Sequence, residues 1–77
     1  MKLSIKSFGK SHKALVISGS EEKVKHVAAE IDSQRHHYNL DYSDLTIQEN
    51  GKAIAEFVAH RSHHKKAATF IRNHIRA

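Results

Sequence analysis

The fold of this chain follows from two similar stretches, LSIKSFGK at residues 3–10 and LTIQENGK at residues 45–52. In each, two apolar residues alternate with polar ones, which is the period of a half-buried β-strand. A glycine and a lysine then follow at matching positions, and Asn50-Gly51 is a strong signal for a hairpin turn. Each stretch therefore predicts a strand that ends in a tight turn.

An apolar run follows each turn and predicts the second strand of each hairpin. These strands are expected over residues 14–17 and 53–59. The third strand is expected over residues 45–49 because apolar and polar side chains alternate there. Residues 39–44 are polar enough to be interpreted as a connection between the first helix and this strand.

After each hairpin, apolar residues recur with the spacing of one helical face. The first helix is expected over about residues 20–36 with Ser18 and Glu21 as a capping box, and the second from after Ser62 to about Arg76. The order ββα–ββα predicts an α+β fold in which one four-stranded antiparallel sheet carries both helices on one face. Residues 1–77 are interpreted as a single domain, with an internal repeat of 1–38 and 43–77.

The composition limits the classes of function. Seventy-seven residues suffice for one small domain, and the absence of cysteine excludes a disulfide framework and a thiolate metal site. No apolar run approaches the ~18 residues of a membrane-spanning helix, and the N-terminal residues do not resemble a secretory signal. We therefore expect a cytoplasmic protein with no membrane partner.

The charge is positive and unevenly distributed. The formal net charge is +5, and all eight acidic residues fall within residues 21–56. Residues 1–20 carry four lysines and residues 57–77 carry five bases, with no acid in either segment. A basic balance of this kind favours an acidic partner, either a nucleic acid or an acidic protein surface.

The two predicted helices begin with opposite charges, since the first opens with SEE at residues 20–22 and the second with SHHKK at residues 62–66. Acidic residues suit a helix start, where unpaired N–H groups concentrate positive potential, and cations do not. Cations at that position indicate that an anion binds there. The candidate binding residues are Arg61, Ser62, His63, His64, Lys65, Lys66 and Arg72.

The segment of residues 51–68, which ends in Lys65-Lys66-Ala67-Ala68, resembles the last hairpin and helix of double-stranded RNA-binding domains. In that family a Lys-Lys pair opens the final helix and contacts phosphates, and alanines follow on the packed face. The family begins with a helix and has three strands, whereas this chain begins with a predicted strand. The resemblance therefore implies only that such a corner can contact a duplex backbone.

Catalysis and cofactor binding are not predicted. The sequence has no Gly-rich phosphate loop, no nucleophile elbow and no paired carboxylates at a recognisable spacing. Eight histidines raise the question of a metal site, but there is no cysteine and no acid within residues 57–77. We therefore expect a protein that is not an enzyme, with no metal and no cofactor.

The sequence thus predicts a small basic nucleic-acid-binding protein that contacts DNA or RNA phosphates through the N-terminus of its last helix. One alternative is a small adaptor or inhibitor, of the kind found among phage and plasmid regulators, that docks on an acidic protein. A homodimer formed through the open sheet face or an edge strand is a further alternative.

Overall fold

The computed structural model describes residues 1–76, apart from the side chain of Tyr42. Its elements are β1 (Lys2–Phe8), β2 (His12–Ser20), α1 (Glu21–Ser33), a 3-10 turn (Arg35–Tyr38), β3 (Leu40–Ile47), β4 (Lys52–His60) and α2 (His64–Arg76). The predicted α+β class is confirmed, because two helices accompany an antiparallel sheet.

The sheet has the strand order β1-β2-β4-β3, and each strand is antiparallel to its neighbours. The central strands are β2 and β4, while β1 and β3 form the two edges. Gly9 and Gly51 have φ angles of 70° and 77°, and they occupy the turns of the two hairpins. This left-handed conformation favours glycine, which explains why both turns carry one.

Both helices pack on the same face of the sheet. α1 lies over β4, β2 and β3, and α2 lies over β2, β1 and β4. The largest fully buried side chains between the layers are Leu15, Ile17, Val24, Ile31, Phe57 and Ile71. Among residues 1–76, no helix has the length and the apolar character to cross a membrane.

The two helices begin at opposite ends of the sheet. Glu21, the first residue of α1, donates its N–H to the carbonyl oxygen of Gly51 at 3.0 Å. Arg61, just before α2, donates its N–H to the carbonyl oxygen of Ser11 at 2.9 Å. The start of α2 therefore lies beside the β1–β2 turn, and the start of α1 lies beside the β3–β4 turn.

The predicted end of α1 and the predicted start of β3 are wrong. α1 ends at Ser33, and β3 begins at Leu40, so most of the predicted connection over residues 39–44 is strand. The register of β3 against β4 shifts just after Leu40. Such a bulge breaks the alternation of apolar and polar side chains, which is why the sequence pattern did not reveal the strand.

The predicted capping box is also wrong. Ser20 is the N-cap of α1, and its side chain makes no capping hydrogen bond. In α2, the side chain of Phe70 is buried. Its ring stacks on Tyr38 with a centroid distance of 3.9 Å and an interplanar angle of 7°. The 3-10 turn after α1 thus supplies a packing partner for α2.

Candidate functional site

The corner between β4 and α2 is held beside the β1–β2 turn. His12 of β2 pairs with His60 of β4 in the sheet register, and the Arg61 N–H bond to Ser11 continues this contact beyond the strands. Lys10 lies in the same turn as Ser11. The fold therefore brings bases from both ends of the sequence to one end of the molecule.

The first turn of α2 has unpaired backbone donors. His63 donates its N–H to the carbonyl oxygen of His60 at 2.8 Å, and Ala67 donates to His63 at 3.3 Å. Between these bonds, the N–H groups of His64, Lys65 and Lys66 have no acceptor within residues 1–76. These are the orphan donors of a helix start, which can bind an anion or water.

The side chain of Ser62, a candidate binding residue, contacts the histidine two residues before it. Its Oγ lies 2.7 Å from Nδ1 of His60, and its own N–H donates to the same nitrogen at 3.2 Å. Because α2 begins two residues later, Ser62 is not its N-cap. Nδ1–H of His64 donates to the carbonyl oxygen of Arg61 at 2.8 Å, so this ring is fixed against the corner.

The exposed face of α2 carries only positive charge. Lys65, Lys66, Arg72 and Arg76 are exposed, and the helix contains no acidic residue. None of these four side chains forms an ion pair with a group in the described part of the chain. Lys65 and Arg72 are seven residues apart, which places them on one side of the helix about 10 Å apart along its axis.

The charges of α1 are arranged differently. Lys25 pairs with Glu21 at 3.0 Å one turn earlier, and Arg35 just beyond the helix lies 3.8 Å from Asp32. α1 also has acidic residues in its first turn, as the helix dipole favours. α1 therefore pairs some of its charges with its own carboxylates, whereas α2 contains no acidic residue with which to do so.

One carboxylate lies close to the corner. Oδ2 of Asp41 is 3.1 Å from Nε2 of His12, and Oγ of Ser11 is 3.0 Å from Nδ1 of the same ring. Such a Ser–His–Asp chain has the residue types of a hydrolytic triad. However, Ser11 and Asp41 are exposed, and three grooves found on residues 1–76 are lined by other residues.

Three histidines lie near one another at this corner. The ring centroids of His12 and His60 are 5.4 Å apart, and those of His60 and His63 are 6.3 Å apart. Within residues 1–76, no group of three or more histidine or carboxylate side chains is positioned to hold a metal ion. The three rings therefore form a polar cluster at this corner.

The structure brings most of the predicted site residues to one corner, and it places one further lysine near them that the sequence pattern did not indicate. Arg61, Lys65 and Lys66 lie at the corner, and Arg72 lies further along the same helix. Lys10 joins them only through the hairpin contact, which depends on strand pairing between distant segments. Lys2 pairs with Ser18, at the opposite end of β1, and therefore does not belong to this cluster.

Comparison with known protein families, with curated proteins and with solved structures finds no match to this chain.

Proposed function

We propose that this chain is a small nucleic-acid-binding protein that acts without catalysis, in the cytoplasm, by contacting DNA or RNA phosphates through α2. The exposed face of α2 is the observation that supports this proposal most. It carries four cations, and none of them is neutralised by a carboxylate in residues 1–76. Cations that no internal partner neutralises are available to an external anion.

The first phosphate would bind at the start of α2. The free N–H groups of His64, Lys65 and Lys66 would donate to its oxygens, and the side chains of both lysines and Arg61 would surround it with positive charge. Arg72, about 10 Å further along the axis, would meet a different phosphate. His63, which is exposed at the same corner, would support these contacts.

Contacts of this kind provide affinity without reading the base sequence. Side chains that reach base edges are needed for sequence choice. With the cations of α2 assigned to phosphates, its exposed face leaves Thr69 and Asn73 for that purpose. We therefore expect binding that is strong at low salt and similar for different sequences.

A charge reversal on α2 tests this proposal. Lys65→Glu combined with Lys66→Glu should abolish binding to a fluorescent duplex in an anisotropy titration. The matched control combines Lys23→Glu with Lys52→Glu, which changes the net charge equally. Lys23 and Lys52 are exposed and lie at the end of the molecule where α1 begins. The control should bind nearly as the parent does.

Two outcomes would contradict the proposal. Equal losses in the two double variants would show that only net charge matters. If no duplex or single strand of DNA or RNA binds at low salt, while a pull-down that survives nuclease treatment recovers one acidic protein, the α2 surface serves a protein partner instead.

A further inference from the structure

The two edge strands of the sheet carry complementary side chains. β1 contains lysines and no acid, whereas β3 contains aspartates and no base. On the face that carries the helices, both edges also expose apolar side chains, with Ile5 40% exposed on β1, and Leu45 42% and Ile47 47% exposed on β3. Exposed apolar groups on an edge strand are a recurrent site of strand addition.

The backbone groups at these edges face outward in matching positions. Bonding direction alternates along an antiparallel strand, and Gln48 donates its N–H to the carbonyl oxygen of Lys52 at 2.8 Å. Odd-numbered residues of β3, such as Leu45 and Ile47, therefore turn their N–H and C=O groups away from β4. The three strand registers extend this alternation across β4 and β2 to β1. As a result, the N–H and C=O groups of Ile5 also point away from the sheet.

We propose that β1 of one copy of this chain pairs with β3 of a second copy, so that the two sheets become continuous. The two edge strands, β1 and β3, run in opposite directions. If a second copy is moved sideways without rotation, its β1 is therefore antiparallel to β3 of the first copy. The helices of both copies then lie on the same face of the joined sheet. The best register pairs Leu3 with Ile47, Ser4 with Thr46, Ile5 with Leu45, Lys6 with Asp44, and Ser7 with Ser43.

The charges favour this head-to-tail arrangement over a symmetric dimer. Because each edge carries charges of one sign, no register of two β1 strands or of two β3 strands pairs opposite charges. The registers centred on Ser4 and on Asp44 even place Lys2 opposite Lys6 and Asp44 opposite Asp44. Like charges directly opposite each other destabilise a strand pair, whereas Lys6 opposite Asp44 stabilises it. A head-to-tail interface leaves one free edge at each end, so association continues beyond two copies.

A groove beside β3 extends the proposed interface. It has a volume of about 360 Å³ and lies between α1 and β3, where its lining includes Ala28, Ala29, Leu45 and Phe57. A second copy seated on β3 would bring Ile5 and the covering helix α2 next to this groove. The contact would then bury apolar surface in addition to forming backbone hydrogen bonds.

Proline substitutions at the two edges test the proposal. Ile5→Pro and Ile47→Pro each remove one outward N–H that has no acceptor within residues 1–76, and proline is tolerated at edge positions of this kind. Proline at Leu45 would also break a bond within the single copy, because the Leu45 N–H donates to Oδ1 of Asp44 at 3.0 Å. In sedimentation equilibrium from micromolar to millimolar concentration, the parent chain should exceed the mass of a dimer. Each variant alone should stay monomeric, and their mixture should form a 1:1 dimer.

A parent chain that stays monomeric, or a proline variant that self-associates alone, would overturn the proposal. If circular dichroism shows that a proline variant does not fold, charge variants test the proposed association instead. Lys6→Asp or Asp44→Lys alone should weaken association about tenfold, and the double variant should restore it, because each swapped charge again faces its opposite. A double variant as weak as the single ones would refute the register. This association is independent of binding by α2, since the two use different surfaces.

Discussion

Reversing the charges at the start of α2 should make the protein more stable while it abolishes the proposed binding. Lys65 and Lys66 are exposed in the first helical turn, next to N–H groups that have no acceptor within residues 1–76. A cation in this position is unfavourable, and an acid is favourable. Lys65→Glu with Lys66→Glu therefore removes two unfavourable interactions and adds two favourable ones.

The size of the gain follows from these four interactions. At about 0.3 kcal/mol each, the lower end for exposed sites, the free energy of unfolding should rise by about 1 kcal/mol at low ionic strength. For a domain of this size, that corresponds to an increase in Tm of roughly 4–8 °C. The gain should shrink in 1 M salt, where the Debye length is only about 3 Å.

Thermal unfolding followed by circular dichroism measures this effect, and the other end of the helix provides the control. Arg72→Glu with Arg76→Glu changes the net charge equally but places acids toward the C-terminal end, so it should lower Tm. If both double variants shift Tm in the same direction, net charge explains the result. If the Lys65 and Lys66 variant is no more stable than the parent at low salt, the helix-start argument is refuted.

Two further predictions concern packing and the β4–α2 corner. A double-mutant cycle with Tyr38→Leu and Phe70→Leu should give a coupling energy of about 0.5–1.5 kcal/mol in urea unfolding, because the rings stack; additive effects would contradict the contact. Ser62→Ala should change the free energy of unfolding by less than about 0.5 kcal/mol, because α2 begins at His64 and the Ser62 hydroxyl bonds to the ring of His60. A loss of about 1 kcal/mol would instead indicate that Ser62 is a true N-cap.

The sequence predicted those parts of the fold that depend on local pattern. The turn glycines at 9 and 51 and the apolar stripe that buries Ala67, Ala68 and Ile71 could be recognised from spacing alone. The beginning of β3 could not, because the register shift after Leu40 interrupts the alternation. The packing of Phe70 against Tyr38 depends on how the 3-10 turn meets α2, which no local pattern contains.

The same distinction applies to the candidate site. The inverted charge at the start of α2 is a property of neighbouring residues, and the sequence was sufficient to recognise it. Two contacts at the corner depend on where β2 and β4 end. They are the hydrogen bond between the Ser62 side chain and His60, and the bond from the Arg61 N–H to Ser11. Strand pairing between distant segments sets these contacts, and a single sequence does not reveal them.

The salt dependence of duplex binding tests the central claim most directly. Two phosphates, one bound by Arg61, Lys65 and Lys66 and one by Arg72, predict that the logarithm of affinity falls against the logarithm of salt concentration with a slope of about −1.8. Affinity should then decrease roughly 10-fold between 50 and 200 mM salt. Anisotropy titrations that show no binding at the lowest salt, or an affinity that salt leaves unchanged, would contradict the claim that α2 binds nucleic-acid phosphates.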